Sequence, residues 1–131
     1  QHDADFYGSN SLVFFNNNYY PISSKSYKPA PKDSSNLVFA GDLYSEIVKY
    51  NFETEEYSVL WDSIFKANKI FTKTEGLIDF YEPDACFIEQ QNSGVLWIIK
   101  DNEVIYKNVL KSHHEGFHHL PNWTRIIKNY E

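Results

Sequence analysis

The stretch SGVLWIIKDNEVIYKNVL, residues 93 to 110, constrains the fold more than any other. Val95 to Ile99 is apolar on both alternating faces, as an inner strand buried on two sides must be. Asp101-Asn102 then supplies turn chemistry, because short polar side chains tolerate left-handed backbone angles. A second run of strand formers follows up to Leu110. The segment reads as a β-hairpin, and two more stretches share its form. SEIVKYNFETEEYSVLW (45 to 61) puts Val48, Tyr50 and Phe52 on one face, with Glu46, Lys49 and Asn51 as polar positions around them. After Thr54 the alternation resumes with Tyr57, Val59 and Trp61. SLVFFNNNYYPIS (11 to 23) has two apolar–aromatic runs around Asn16, Asn17 and Asn18. The hairpins at 45–61 and 93–110 resemble each other, with a serine, an apolar strand, a polar turn and a strand ending in Val-Leu. Turns recur at roughly 40-residue spacing, near the period of propeller blades. Three such units fall short of the usual closed propeller of about four to eight blades.

The expected fold is therefore mainly β. Antiparallel hairpin repeats would form a small sandwich, barrel or propeller-like domain spanning residues 1–131, with at most one short helix. WDSIFKANKIF (61 to 71) is the place for that helix, with Trp61, Ile64, Phe65 and Asn68 on one side and Asp62 or Ser63 as cap. ACFIEQQ (85 to 91) and LVFAG (37 to 41) read as strands, and NWTRIIKNY (122 to 130) as a terminal strand anchored by Ile126 and Ile127. SSKSYKPAPKDSS (23 to 35), with Pro29 and Pro31, reads as an exposed loop. The expected core is Phe14, Val48, Tyr50, Val59, Trp61, Cys86, Val95, Trp97, Ile99 and Tyr106. The lone Cys86 has no partner for an internal disulfide and reads as a small apolar core residue.

Ten Phe, ten Tyr and three Trp suit a β-rich chain that offers aromatic contact surface. The formal charge of −6 disfavours nucleic acid, whose phosphates are neutralised by Lys and Arg. An acidic surface instead favours encounter with a basic protein. No run of about 18 apolar residues is present to span a membrane. The chain holds no methionine and starts at Gln1. Removal of an upstream segment is expected, and with it export to a periplasmic or secreted location.

One stretch names a chemistry. SHHEGFHHLPNW, residues 112 to 123, contains His114-Glu115-Gly116-Phe117-His118, the H-E-x-x-H pattern of zinc hydrolases. That pattern works on a helix, where positions i and i+4 point two imidazoles at one metal and the glutamate acts as base. Gly116 inside the stretch and Pro121 after it oppose a helix. A third protein ligand would have to come from His119, Glu131, Glu82 or Asp84. A turn after a strand, with a histidine or two bonded to backbone, is the simpler reading. A recognition loop is a third reading, since His113, His114, Glu115, Phe117, His118, His119 and Trp123 are good contact residues on a β scaffold. Glu53, Glu55 and Glu56 form an acidic hairpin tip able to enter a basic cleft. Asp79, Glu82 and Asp84 lack an EF-hand pattern and read as a solvated turn. Asn122-Trp123-Thr124 is an N-glycosylation sequon. There is no G-x-S-x-G, phosphate-binding glycine loop or Cys–Cys spacing. The expected function is a non-catalytic exported binding protein, an inhibitor or immunity protein that blocks an enzyme or toxin, with no cofactor. A zinc hydrolase using His114, Glu115 and His118 is the alternative, and a fragment or subunit of a propeller-like assembly is another.

Overall fold

A computed structural model describes residues 2–18 and 44–127. Eight strands form two four-stranded antiparallel sheets, each a simple meander. The first sheet holds β1 (His2–Tyr7), β2 (Ser11–Asn16), β3 (Glu46–Asn51) and β4 (Glu56–Leu60), in that order. Helix α1 (Asp62–Asn68) follows. The second sheet holds β5 (Leu77–Glu82), β6 (Ala85–Gln90), β7 (Val95–Lys100) and β8 (Glu103–Val109). The mainly β, antiparallel expectation with one short α-helix holds, and the described strands close no barrel.

The hairpins expected at 45–61 and 93–110 form, as β3–β4 and β7–β8, with Asp101 and Asn102 both at positive φ in the second turn. Of the hairpin expected at 11–23, the first strand forms as β2. Strand β2 pairs on one side with β1, a strand that the pattern did not reveal, and on the other with β3. The second half of that hairpin, Tyr19 to Ser23, lies outside the described residues, as does the strand expected at 37–41. Strand β5 was also hidden, because DFYEPD reads as a turn when its carboxylates are weighed before its aromatics. The terminal strand expected from Asn122 is irregular up to Ile127, and Ile127 is exposed.

One core lies between the sheets. It contains Val13, Phe15 and Ile47 from the first sheet and Ile78, Cys86, Ile88, Val95, Trp97 and Ile99 from the second. Phe65 of α1 and Ile70 close it from the connection. Cys86, Val95, Trp97 and Ile99 are buried as expected. The first sheet, however, faces the opposite way from expectation. Phe14, Val48 and Tyr50 are only half-buried on its outer side, Val59 and Tyr106 are exposed, and Trp61 is half-buried against Phe80. Side chains alternate with period two, so choosing the wrong phase moves a whole set to the other face. Both phases of β2 are apolar, with Leu12 and Phe14 on one and Val13 and Phe15 on the other, so pattern alone does not decide.

The connection between sheets is short and firmly tied. Trp61 and Lys69 flank α1 in left-handed conformations, and no side chain caps its start, contrary to the expected role of Asp62 or Ser63. Phe65 is the residue that α1 buries. At the far side of the connection, the Asn92 side-chain oxygen accepts the amides of Lys73 (2.6 Å) and Thr74 (3.0 Å). The Asn17 amide donates to the Thr72 carbonyl at 3.0 Å. The Trp97 indole N–H donates to Gln90 Oε1 at 2.9 Å, and Gln90 Nε2 donates to the Phe71 carbonyl at 2.9 Å. The bonds of Asn17, Gln90 and Trp97 satisfy buried or part-buried polar groups that would otherwise lack partners, at a cost of about 1–3 kcal/mol each.

Candidate functional site

The histidine-rich loop follows β8 and folds back on the β6–β7 turn. Lys111 and His118 form an antiparallel bridge, and the His119 amide donates to the Leu110 carbonyl at 2.7 Å. Between them the chain turns tightly, with Phe117 N–H donating to the His114 carbonyl at 3.2 Å and Gly116 at φ +79°. A helix is therefore absent, and H-E-x-x-H does not present His114 and His118 on one helical face. The His118 ring places Nε2 2.9 Å from the Asn92 carbonyl, so that nitrogen donates to backbone. Gly94 sits directly beneath. A Cβ there would fall 2.5 Å from His118 Cδ2 and 2.5 Å from the His119 carbonyl oxygen, and Gly94 itself has φ +60°. Only glycine fits that backbone conformation and that close approach.

Among the described residues no group of three His, Cys, Asp or Glu side chains is placed to hold a metal. Glu82 and Asp84, considered above as distant ligands, lie at the other end of β6 from His118. Six strand residues separate the two ends, about 20 Å. Glu82 instead pairs with Lys100 at 2.7 Å, and Asp79 accepts the Ile126 amide at 3.1 Å. Asp79 and Glu82 are thus committed to separate structural contacts. Cys86 is buried, and burial pushes its thiol well above the ordinary range, which keeps it un-ionised and unreactive.

What the loop does offer is contact surface. Phe117 is 72% exposed, Leu120 66% and Trp123 71%, while His113, His114, Glu115, His118 and His119 are also on the surface. Arg125 lies over the Trp123 ring at 5.6 Å. Beyond Trp123 the chain crosses the outer side of the second sheet. There Thr124 N–H donates to Glu89 Oε2 at 2.9 Å, which gives a carboxylate that is only 2% exposed a partner. Large exposed side chains are thus mounted on a segment that is hydrogen-bonded on both flanks.

The acidic tip lies elsewhere. Asn51 Oδ1 accepts the amides of Glu53 (2.8 Å) and Thr54 (3.1 Å), which orders the turn, and Glu53, Glu55 and Glu56 are all exposed. The Phe52 amide donates to the Asn10 carbonyl, so this tip stands beside the β1–β2 turn. The histidine loop is fixed to Asn92, which bonds the Thr72–Thr74 segment, and Thr72 in turn contacts Ser45 and Asn17 at the opposite ends of β3 and β2. The two loops singled out from sequence are therefore on opposite ends of the molecule and do not form one site.

Two features escaped the sequence reading. One is a cleft of about 240 Å³ lined by residues that include Asp3, Glu75, Glu89 and Trp123. Burial raises the Asp3 carboxyl above its ordinary value, opposed by the Ile78 amide it accepts at 2.6 Å and by Arg125. The other is the outer face of the first sheet, where Leu12, Phe14, Val48, Tyr50 and Tyr57 form an aromatic groove. The signal for it was present, because β2 is apolar in both phases, as β7 is. No protein-family model, curated protein sequence or solved structure matches this chain.

Proposed function

We propose that this chain is a non-catalytic binding protein whose partner is another protein, an enzyme or toxin that it blocks in the periplasm or outside the cell. The observation that carries this reading is the braced loop from His113 to Trp123, with Phe117, Leu120 and Trp123 exposed on a segment pinned to β6, β7 and β8. Exposed aromatics held in place bind well, because little freedom remains to be lost on association. The acidic charge suits a basic partner. Separation by a strand length takes the tip at Glu53, Glu55 and Glu56 out of the contact, and screening over about 8–10 Å at moderate salt leaves it a steering effect that is seen at low salt.

A photo-crosslinking side chain placed at Phe117, and another at Glu55, tests this in extracts of the source organism. The loop position should capture a defined protein and the tip position should not. Ala at both Phe117 and Trp123 should then weaken binding of that purified protein by roughly 10- to 100-fold, mainly through faster dissociation. Undiminished affinity of this double variant, or of the His114, Phe117 and His118 alanine set, refutes the proposal.

A second reading, a subunit of a propeller-like assembly, has its own support. Two successive four-stranded antiparallel meanders are the unit from which propeller blades are made. In that reading the histidine loop is still the partner-binding element, carried by a larger scaffold.

A further inference from the structure

The core-facing phase of the first sheet changes chemistry along its length. Val13, Phe15 and Ile47 are on that phase and are buried between the sheets. Ser11 continues the phase of Val13 in β2, and Lys49 and Asn51 continue that of Ile47 in β3. Ser11 faces Asn51, Lys49 faces Val13, and Tyr7 of β1 faces Ser11. Period-two alternation therefore points a serine, a lysine, an asparagine and a tyrosine at the space where the core would otherwise continue. Residues that contradict the pattern of their own strand are expected at functional positions. The space they face is a groove of about 500 Å³ between the sheets, bounded by Phe80 and Pro83 on the other side and rimmed by Phe6 and Asn10. Ligand pockets typically measure about 300–1,000 Å³. The groove lies beside the β1–β2 turn, at the ends of β2 and β3 remote from Asn18 and Tyr44, between which the described chain is interrupted.

The hydrogen-bonding groups around the groove are unevenly satisfied. Its side-chain acceptors are engaged. Asn10 Oδ1 accepts the Ser9 hydroxyl at 2.7 Å, Asn51 Oδ1 accepts the Glu53 and Thr54 amides, and Glu82 accepts Lys100 at 2.7 Å. The Pro83 carbonyl likewise accepts the Tyr7 hydroxyl at 2.6 Å. The donors are a different matter. The Ser11 hydroxyl and the side-chain NH2 groups of Asn10 and Asn51 have no partner among the described residues. Ser11 is only 4% exposed, and a buried polar group without a partner is uncommon enough to need a cause. Lys49 lies over the Tyr7 ring at 4.9 Å and meets no carboxylate within ion-pair distance among the described residues. The bonded oxygens of Asn10 and Asn51 fix the orientation of both amides. A hydroxyl, two oriented NH2 groups and an ammonium thus line one opening with their hydrogens unused.

We propose that this groove binds a neutral saccharide. The hydroxyl and ring oxygens of a sugar accept the hydrogen bonds that Ser11, Asn10, Asn51 and Lys49 offer. The C–H face of a sugar ring is slightly positive and packs on the negative face of an aromatic ring, and Phe6 on the rim is 74% exposed. Charge selects against ionic ligands. Lys49 repels a cation. Glu82 lines the groove, and Glu53, Glu55 and Glu56 stand on the turn that Asn51 orders, in a chain of net charge −6. An anion there meets more repulsion than one lysine offsets. A neutral, oxygen-rich ring meets none, and it uses the Lys49 ammonium as a hydrogen-bond donor. The groove and the histidine loop stand at opposite ends of the sheets and share no residue, so a saccharide and a protein partner are held without competition.

Titration of the isotope-labelled protein with neutral trisaccharides, namely tri-N-acetylchitotriose, cellotriose, maltotriose and xylotriose, tests this by NMR. Concentrations up to about 20 mM cover the roughly millimolar affinity that a few polar contacts and one stacked ring give. At least one of these sugars should shift the side-chain NH2 signals of Asn10 and Asn51 saturably. Lys49→Ala should weaken that binding about tenfold, with circular dichroism unchanged. Ser11→Ala removes a hydroxyl that has no partner in the protein to lose, so the melting temperature should hold or rise while affinity falls several-fold. A serine that serves the fold alone would show the reverse. Phe117→Ala should leave saccharide binding unchanged, which separates this site from the loop proposed for the protein partner. Absence of saturable shifts with every one of these sugars overturns the proposal. So do shifts caused only by trigalacturonate or inorganic phosphate, which mark an anion site. Sugar binding that neither Lys49→Ala nor Ser11→Ala diminishes overturns it as well.

Discussion

Replacing Gly94 with alanine should destabilise this protein far more than replacing Gly8, although both glycines have nearly the same backbone. Gly8 has φ +67° and Gly94 has φ +60°. Either alanine pays the left-handed penalty of roughly 1 kcal/mol. Around Gly8 there is nothing within 4 Å of an added Cβ, so the cost stops there. At Gly94 the added carbon meets the His118 ring and the His119 carbonyl, both at 2.5 Å. The loop must move, and moving it stretches the His118–Asn92 bond of 2.9 Å and the 2.7 Å bond from His119 to Leu110. Two weakened bonds at about 1 kcal/mol each, added to the backbone term, give roughly 3 kcal/mol. Urea unfolding followed by tryptophan fluorescence would compare the two variants with the parent at equal slope. A difference of about 2 kcal/mol is expected between Gly94→Ala and Gly8→Ala. Equal losses would show that the histidine loop is not braced on the β6–β7 turn, and would remove the main support for its role in binding. Gly94→Ala should also weaken partner binding, whereas Gly8→Ala should not.

Three further outcomes follow from the same contacts. Phe15→Ala should cost about 3–5 kcal/mol by opening a cavity in the core, while Phe14→Ala, on the half-buried outer face, should cost less than half as much in the same urea assay. Cys86 should fail to react with a thiol reagent at pH 8 until the protein unfolds; because its thiol is raised in the fold, the unfolded thiol ionises first, and stability should fall above about pH 8.5 by up to about 1.4 kcal/mol per pH unit in pH-dependent unfolding. A metal chelator should leave the melting temperature unchanged, since the His114 to His118 stretch is a turn and His118 Nε2 is bonded to backbone; a drop of many degrees would restore the zinc reading.

The local order of this chain is written in its sequence. Asn51 to Glu56 and Asp101-Asn102 are turns because their residues accept left-handed angles or bond their own backbone, and the strands on each side are β-branched and aromatic. Gly116 and Pro121 likewise announce a turn rather than a metal-binding helix, and the structure has the turn. The burial of Trp97 was legible because both phases of its strand are apolar and an inner strand satisfies both. The same double-sided pattern in β2 was not decisive, and in β3 the more apolar phase, Val48 and Tyr50, faces outward while Ile47 is buried. Alternation supplies a period and leaves its phase open, and the phase is decided by which side of the first sheet meets Ile88 and Trp97 of the second. That meeting spans more than seventy residues of chain, so no local window contains it. Tertiary structure also decided where the candidate loops stand. Nothing near Glu53 or His118 in the sequence tells that antiparallel strands carry them to opposite ends, because position after folding depends on how many strands lie between them and which way each one runs.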